Sequence, residues 1–398
     1  MTPETLREWW SHRQGLDGSL VGGSAAEVLA GTGWARSVGG SGPYLGLFAR
    51  GRLTREAVDA AVARIEVHEL PSARGCTYVL PAADFAVGLA VGAGVPEGEL
   101  AAAGRHLGVT MAEIEELCAA VVDAAERAAG PLDPAALKVA VGSPVGNPVG
   151  NPVRDLGDAG RKRGIATTLP LALGLLQARG DLRRVPANGR IDQQRYGYVR
   201  WHAEPSDVDT ARTELARRYF GWAAPASLKH FRWFSGLTAA AAKKAIGPLE
   251  LKPVDGTDLL LPADLVAEFA EFTPAGRPHY ALLAGIDGIH LLHRELARLI
   301  DPADAARPVP GGKAGAVPGA EADPPCHLIV DRGRVVGLWE FDPGAGRIEY
   351  RSFVTADAGL RAAVAETEAF VRDQLGDARS FSLDSPKSRE PRLAALRG

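Results

Sequence analysis

A helix that runs directly into an arginine-rich hairpin limits the possible folds of this chain more than any other feature. The segment "TLPLALGLLQARGDLRRVPANGRIDQQRYGYVRW" begins at Thr168, and its leucines recur at helical spacing until Gly180. Leu182 to Pro186 and Arg195 to Val199 have the composition of short strands, and the Asn188-Gly189 pair between them is typical of a tight turn. The segment therefore predicts a helix followed by a two-stranded hairpin.

Two further helices are predicted just before this segment. Asp133 to Val141 begins with a good helix-capping residue, and Arg154 to Arg163 follows after a glycine- and proline-rich stretch, "GSPVGNPVGNPV". Three helices followed by a hairpin is the order of a winged helix-turn-helix module. In that motif the third helix enters a DNA groove and the hairpin contacts the backbone or the minor groove. The alternative is a packed α/β subdomain with a solvated arginine face.

The same order is predicted again further along the chain. Helices are expected over Asp207 to Tyr219, Pro225 to Phe234 and Thr238 to Ile246, and "LELKPVDGTDLLLP" predicts a hairpin around Asp255-Gly256. The N-terminal segment fits this plan less closely. Three modules in tandem are more specific than one, because each alone could arise by chance.

The chain is accordingly predicted to be mainly α with small β (α+β), with three tandem winged-helix modules and a C-terminal β-rich, barrel-like domain. A segment rich in proline, glycine and alanine within that last domain is expected to be a flexible insertion. The expected divisions are a first winged-helix module (1-95), a helical connector (96-130), a second module with a basic wing (131-204), a third module (205-272) and the β-rich domain (273-398) with its flexible insertion (305-325).

Composition excludes several classes of protein. Hydrophobic residues make up 46% and charged residues 23% of 398, which is the balance of a soluble globular chain, and no apolar run approaches membrane-spanning length. The three cysteines are scattered along the sequence, which argues against disulfides and structural zinc and favours a reducing cytoplasm. His290 and His293 share a helix face, but a structural pair is favoured over a metal site. Nucleotide-binding glycine motifs are missing, so no cofactor is expected.

Net charge is only −3, so any nucleic-acid site must come from an uneven distribution of charge. Around the hairpin, basic residues greatly outnumber the two aspartates Asp181 and Asp192, and neutral hydrogen-bonding side chains accompany them. Such residues bind phosphates and base edges, and Arg190 is placed like a wing-tip side chain that enters the minor groove. The predicted DNA-binding residues are Arg161, Lys162, Arg163, Thr167, Thr168, Gln177, Arg179, Arg183, Arg184, Asn188, Arg190, Gln193, Gln194 and Arg195, with Lys243 and Lys244 in the third module.

Four stretches, in sequence order, resemble the AlkZ/YcaQ family of bacterial winged-helix DNA glycosylases. They are "LAGTGWARSVGGSGPYLGLFAR", "ARGCTYVLPAADF", "YFGWAAPASLKHFRWFSGLTAAAAKKAI" and "LIVDRGRVVGLWEF". The resemblance implies three tandem winged helices and a small β-barrel around duplex DNA. It also implies excision of bulky N-alkylated purines, with a glutamine-apolar-glutamine or glutamine-apolar-aspartate motif that positions the attacking water.

The two polar positions of that motif align with Trp34 and Arg36, and the family's strand histidine aligns with Tyr78. Arginine has no acceptor lone pair and cannot activate water, whereas tryptophan suits wedging into a base stack. If Trp34 and Arg36 mark the catalytic position, they are expected to face the DNA. His68, Glu69 and Asp84 are the alternative catalytic candidates.

The leading hypothesis is a DNA-binding protein of the glycosylase type that acts on duplex DNA with bulky N-alkylated purines, in DNA repair or self-resistance. The alternative is a non-catalytic DNA-binding protein, either a lesion sensor or a transcriptional regulator. A third class, a protein-interaction module, would bind no DNA in a salt-dependent way. The partner is expected to be double-stranded DNA, and the protein is expected to be a cytoplasmic, nucleoid-associated monomer with no membrane contact.

Overall fold

The computed structural model describes residues 2–142, 152–310, 323–324 and 326–397. Most of the segment expected to be a flexible insertion, and most of the "GSPVGNPVGNPV" stretch, lie outside the described residues. Of the described residues, 50% are helical and 16% are in strands, so the predicted α+β class is confirmed.

In the N-terminal region, capping residues in the sequence mark where helices begin. Ser24 and Glu27 form a reciprocal capping box at one helix start, and Thr54 caps another. The three strands form an antiparallel sheet in the order β1-β3-β2, with the hairpin strands β2 and β3 after the helices. The elements are α1 (Pro3–Arg13), α2 (Ala25–Thr32), β1 (Ala35–Arg36), α3 (Gly42–Gly51), α4 (Arg55–Ala63), β2 (Val67–Pro71), β3 (Thr77–Pro81) and α5 (Phe85–Gly92).

The central region contains the helix and hairpin that were predicted first. The helix predicted over Arg154 to Arg163 is shorter, because only five residues are helical. An isolated bridge pairs Leu132 with Tyr198, next to the hairpin. The elements are α6 (Gly94–Leu107), α7 (Met111–Arg127), α8 (Pro134–Gly142), α9 (Gly157–Arg161), α10 (Leu169–Ala178), β4 (Leu182–Pro186) and β5 (Tyr196–Arg200).

Helix α10 does not have the surface of a helix that enters a DNA groove. Eight of its ten residues are buried. The helix packs against α5, α6 and α7 and against β4. Because apolar residues surround it on nearly every side, the expectation that this third helix enters a groove is wrong.

The hairpin loop is also longer than predicted. The Ala187 amide donates to the Arg195 carbonyl at 2.8 Å, and this bond closes the loop. Asn188 and Gly189 occupy only one bend at its start, where the Gly189 amide donates to the Pro186 carbonyl at 3.1 Å. The tight turn predicted at Asn188-Gly189 is thus one bend within a loop that continues to Arg195.

The following region repeats the order of the N-terminal one. Thr238, where the third helix was predicted to begin, caps that helix, and a two-residue strand joins the predicted hairpin in the sheet order β6-β8-β7. The elements are α11 (Val208–Ala223), β6 (Ala226–Ser227), α12 (Leu228–Ser235), α13 (Ala239–Ile246), β7 (Leu251–Pro253), β8 (Leu259–Pro262) and α14 (Val266–Glu271).

The C-terminal region has an antiparallel sheet of four strands in the order β12-β11-β10-β9. Its described strands form an open sheet, so the barrel-like form expected from the sequence is wrong. The elements are β9 (Tyr280–Leu283), α15 (Gly288–Leu291), α16 (Leu296–Leu299), β10 (His327–Asp331), β11 (Arg334–Asp342), β12 (Arg347–Ser352), α17 (Ala358–Phe370), a π-helical turn (Val371–Leu375) and α18 (Pro386–Arg397).

The hydrophobic cores cross the expected divisions of the chain. Trp9 and Trp10 of α1 are fully buried, and their indole N–H groups donate to the carbonyls of Ala224 and Pro225. The same cluster contains residues of the C-terminal sheet. The first helix therefore joins the third set of helices to the C-terminal region, because both indoles bury a large apolar surface and still satisfy their polar group.

One helical stretch, Ala82–Leu107, is long and apolar enough to cross a membrane by length and composition alone, which is weak evidence. It includes Pro96, and 44% of its most apolar window is buried within the protein. Its first helix, α5, packs against α11 and β2.

A buried ion pair joins α3 to the start of α15. Both terminal nitrogens of Arg50 donate hydrogen bonds to the Asp287 carboxylate, at 2.7 and 2.8 Å. One of them also donates to the Gln14 side chain at 3.1 Å. The two charged side chains are only about 5% and 4% exposed, respectively. Since removal of one partner leaves the other charge buried and unpaired, the pair is costly to break.

We therefore expect Arg50→Met to lower the free energy of unfolding by about 3–5 kcal/mol. The matched control is Arg64→Met, because the Arg64–Glu66 pair is exposed, and this variant should unfold almost like the wild type. Urea titration followed by circular dichroism measures both. Equal stability of the two variants would contradict a structural role for the buried pair.

Candidate functional site

The sheet β1-β3-β2 has two faces with different chemistry. In its register Arg36 pairs with Tyr78, which pairs with Leu70, while Ala35 shares the next row with Glu69. Because side chains alternate across a strand, Arg36 and Glu69 lie on opposite faces. The sheet itself thus separates Arg36 from the Glu69 carboxylate.

Trp34 is a core residue, with 4% of its surface exposed. Its indole N–H donates to Asp84 Oδ2 at 2.7 Å, and its ring packs among Tyr78, Trp222 and Phe234. A side chain buried in this way offers no flat surface to a nucleotide. The expectation that Trp34 faces the DNA is therefore wrong for this conformation.

Asp84 is occupied as a structural acceptor. Its second oxygen, Oδ1, accepts from Arg218 Nε at 2.6 Å, and Arg218 in turn pairs with Glu214 of the same helix. Both carboxylate oxygens are thus used to join the N-terminal region to α11. This arrangement explains the burial of Asp84 without a catalytic role.

Arg36 keeps its charge without a carboxylate partner among the described residues. Its guanidinium lies over the Tyr78 ring, 5.5 Å from the ring centre. Burial lowers the pKa of Arg36, and the charge of neighbouring Arg74 lowers it further. The half-buried guanidinium remains able to bind an anion, but it has no lone pair with which to accept a proton.

Glu69 is a buried carboxylate between the first sheet and the hairpin of the central region. It is 3% exposed, and one oxygen accepts a hydrogen bond from the Ser37 hydroxyl. Burial raises the pKa of the Glu69 carboxyl, whereas the Arg184 charge and the Ser37 and Tyr196 hydroxyls oppose that rise. Glu69 is therefore a candidate carboxylate whose surroundings shift its pKa.

His68 is buried beside it, with 2% of its surface exposed. Phe85 and Trp201 meet its ring edge-on, and its Nε2 has no hydrogen-bond partner among the described residues. Burial, together with the charges of Arg183 and Arg184, lowers the pKa of His68 to about 3. The imidazole is consequently neutral at neutral pH.

The basic residues near the hairpin divide into two sets, and the first is neutralised within the protein. Arg190 pairs with Asp192 and donates to the Leu375 carbonyl, so the expectation that it enters a minor groove from the wing tip is wrong. The other ion pairs of this set are Arg161 with Asp155, Arg179 with Glu115, and Arg200 with Asp181 and Glu126.

The second set has no ion pair among the residues that the structure describes. Arg184 donates to the Thr77 hydroxyl at 3.2 Å and lies over the Tyr196 ring at 4.6 Å, which connects the hairpin to β3. Such a group of charges that the protein does not neutralise is typical of an anion-binding surface. We name the hairpin arginines Arg183, Arg184 and Arg195 the arginine cluster. Arg36 and Arg74, which also lack an ion pair, lie near Tyr78 on the opposite face of the first sheet.

Two other predicted DNA-binding residues are structural. Gln177 is buried and donates to the Leu173 carbonyl, and the buried Thr168 hydroxyl accepts from the Arg154 amide. The expectation that these two contact DNA is wrong. Asn188 accepts from the Arg190 amide within the loop, and Lys244 pairs with Asp209. The remaining side chains are exposed or half-buried, and they are Lys162, Arg163, Thr167, Gln193, Gln194 and Lys243.

Sequence reasoning missed Ser37, which donates to Glu69, and Tyr196, whose hydroxyl lowers the pKa of Glu69. Ser37 lies one residue beyond the aligned motif, and the alternation of the strand is the signal that could have placed it with Glu69. Tyr196 comes from a different sheet, so no local pattern indicates it. Among the described residues no group of three or more histidine, cysteine, aspartate or glutamate side chains could hold a metal ion. His293 meets the Ala223 carbonyl at 2.8 Å instead.

Comparison with known proteins gives a consistent result. A family model described as "DNA glycosylase AlkZ-like" matches residues 36–372. The solved structure of the Streptomyces sahachiroi DNA glycosylase AlkZ has a TM-score of 0.68 to this chain, with 21% sequence identity, over 96% of this chain and 98% of that one. No curated protein sequence matches.

The class that these findings define is a DNA-repair protein of the glycosylase type, with DNA as its partner. The chain belongs to the AlkZ-like DNA glycosylase family. The family resemblance inferred from the sequence motifs is thereby confirmed.

The buried, neutral His68 makes stability depend on pH. Its pKa is lower in the folded than in the unfolded state, so the unfolded state binds more protons as the pH falls below about 6.5. We expect the wild type to lose about 2–3 kcal/mol from this group at pH 4.5, and His68→Phe to avoid that loss. Thermal unfolding of both proteins between pH 7 and 4.5 measures the difference. Parallel curves would show that His68 is protonated in the native state.

Proposed function

We propose that this protein is a DNA glycosylase that excises bulky N-alkylated purines from duplex DNA, in DNA repair or self-resistance. The observation that carries the proposal is the arginine cluster beside the buried Glu69 carboxylate. The DNA phosphate backbone supplies the anionic partners that the cluster lacks within the protein. The Glu69 carboxylate can accept a proton, which Arg36 cannot do. The protein is further proposed to act as a monomer in the cytoplasm, associated with the nucleoid, without a nucleotide cofactor.

We also infer that the chain contains three winged-helix modules. The first and third sets of elements share the order helix, short strand, two helices and hairpin, with equivalent sheet orders. In the central set, the bridge between Leu132 and Tyr198 takes the place of the short strand. This repetition supports the inference. The central module differs from a winged helix that contacts DNA bases with its third helix, because α10 is buried.

The arginine cluster can bind DNA because its positive charges have no carboxylate partner among the described residues. Arg183 and Arg184 are half-buried, while Arg195 is exposed, so the cluster offers donors at the surface and just beneath it. Each phosphate contact releases counterions from the duplex, which makes binding favourable at low salt. The arginines that pair internally have less to gain from DNA, because their charge is already neutralised.

The chemistry requires an attacking water and stabilisation of a positively charged sugar. An N-alkylated purine is cationic, so the C1′–N bond breaks without prior protonation of the base. In the proposed mechanism ionised Glu69 takes one proton from water as the C1′–O bond forms, and its charge stabilises the sugar. Arg184, Ser37 and Tyr196 favour that ionised form.

The decisive test is Glu69→Gln, assayed on duplexes that carry an N7-alkylguanine. We expect abasic-site formation to fall by about 100-fold or more, while duplex affinity stays within about twofold, because only the proton acceptor is lost. Alkaline strand cleavage measures the product. Glu66→Gln, an exposed neighbour, is the matched control and should retain the wild-type rate. An unchanged rate in Glu69→Gln would remove Glu69 from the mechanism.

A second candidate function is a non-catalytic DNA-binding protein, a lesion sensor or a regulator. The burial of Trp34 and Glu69 and the charge of Arg36 at the aligned motif favour this candidate. It predicts that the wild type binds alkylated duplex without releasing the base. The abasic-site assay therefore separates the two functions directly.

The arginine cluster predicts how affinity depends on salt. Replacing Arg183, Arg184 and Arg195 together by Ala should reduce the slope of log K against log salt by about 2–3, since each phosphate contact contributes about 0.9. The matched control replaces Arg161, Arg179 and Arg212, which are ion-paired, and should leave the slope nearly unchanged. Fluorescence anisotropy with a labelled duplex measures both. A similar loss of slope in the two variants would place DNA elsewhere.

A further inference from the structure

The loop between the π-helical turn and α18 presents two large apolar side chains to solvent. Phe381 is 45% exposed and Leu383 is 84% exposed. Single exposed apolar residues are ordinary, but these two lie one residue apart on the same loop. The other large exposed hydrophobic residues, such as Val21 and Val139, lie apart from each other in the sequence. The two side chains therefore concentrate exposed apolar surface on one short loop.

The loop is held in place rather than free to fold inward. Asp384 is 2% exposed and accepts from the Ser380 amide at 3.2 Å and from Arg392 at 2.8 Å. The Ser382 amide donates to the Val38 carbonyl at 3.1 Å. With its backbone anchored on both sides of Phe381, the loop keeps the two side chains directed away from the core.

The loop also lies against the candidate site. Val38 directly follows Ser37, the residue that holds Glu69. A Cβ added at Gly39 would lie 2.5 Å from Gln194 Cγ and 3.0 Å from Ser382 Cβ, so the hairpin loop and the C-terminal loop meet at this glycine. Arg195 of the arginine cluster follows Gln194. The apolar pair is therefore positioned beside both the phosphate-binding surface and the carboxylate.

We propose that Phe381 and Leu383 form a wedge that enters the base stack of duplex DNA next to the damaged nucleotide. This inference rests on the proposed function. Apolar side chains inserted between base steps unstack and kink the duplex. Glu69 is buried, so a straight duplex on the surface leaves C1′ out of its reach. A kink beside the lesion would move the sugar toward the carboxylate.

The wedge has one occupant that fits its surroundings. The arginine cluster next to it repels a positively charged partner surface, whereas duplex DNA offers phosphates for the arginines and stacked bases for the apolar pair. A second copy of this chain would cover the apolar pair but bring another arginine cluster beside the first. Duplex DNA is therefore the occupant to which the proposal commits.

The test compares the wild type with the double variant Phe381→Ala/Leu383→Ala on duplexes that contain 2-aminopurine beside a stable abasic-site analogue. We expect the wild type to increase 2-aminopurine fluorescence on binding, since unstacking relieves quenching, and the double variant to lose most of that increase. Its affinity for this duplex should fall by roughly 10-fold, with an unchanged salt slope. Phe381→Trp should keep the fluorescence increase, and Val21→Ala/Val139→Ala is the control for loss of exposed apolar surface.

The failure of the wedge and the failure of the proposed function give different results. Salt-dependent binding with the same fluorescence in wild type and double variant would overturn the wedge and leave DNA binding intact. No salt-dependent binding by the wild type would overturn the proposed function itself. A wild-type dimer that the double variant dissociates, measured by analytical ultracentrifugation without a fluorescence difference, would assign the pair to self-association and overturn the wedge.

Discussion

The Asp84 carboxylate is the contact on which the rest of the site depends. Its two oxygens accept from Trp34 of the N-terminal region and from Arg218 of α11, so one buried acid fixes both regions relative to each other. With Trp34 held in the core, β1 must continue with Arg36 on the Tyr78 face and Ser37 on the Glu69 face. A residue that resembles a catalytic acid in the sequence thus serves to orient the strand that carries the site.

Whether an arginine has a carboxylate partner within the protein distinguishes structural arginines from DNA-binding candidates better than the number of arginines does. Several arginines around the hairpin pair with carboxylates within the protein, whereas those of the arginine cluster have no ion pair among the described residues. The protein carries a net charge of −3, so long-range attraction to DNA is weak. In the proposed function the local cluster therefore carries the interaction, and affinity is concentrated where the hairpin meets the first sheet, beside Glu69.

The site is assembled from segments that are far apart in the chain. Glu69 comes from β2, its neighbours Arg184 and Tyr196 come from the central hairpin, and the apolar pair of Phe381 and Leu383 comes from the loop before α18. In the proposed function each contributes a different interaction: a proton acceptor, fixed positive charge and an apolar surface. Their combination needs the packing of several regions, and the hydrophobic cores do cross the expected divisions of the chain.

Local periodicity in the sequence determined most helices and hairpin strands, including the strand Leu182–Pro186, and four motifs determined the family. Those features depend on residues close together in the chain. Tertiary structure decided the burial of Trp34 and α10, the open C-terminal sheet and the partner of each arginine. Arg190, for example, donates to the carbonyl of Leu375, 185 residues away. Solvent exposure and charge pairing depend on such distant neighbours, so no local pattern could distinguish a DNA-facing arginine from one that binds within the protein.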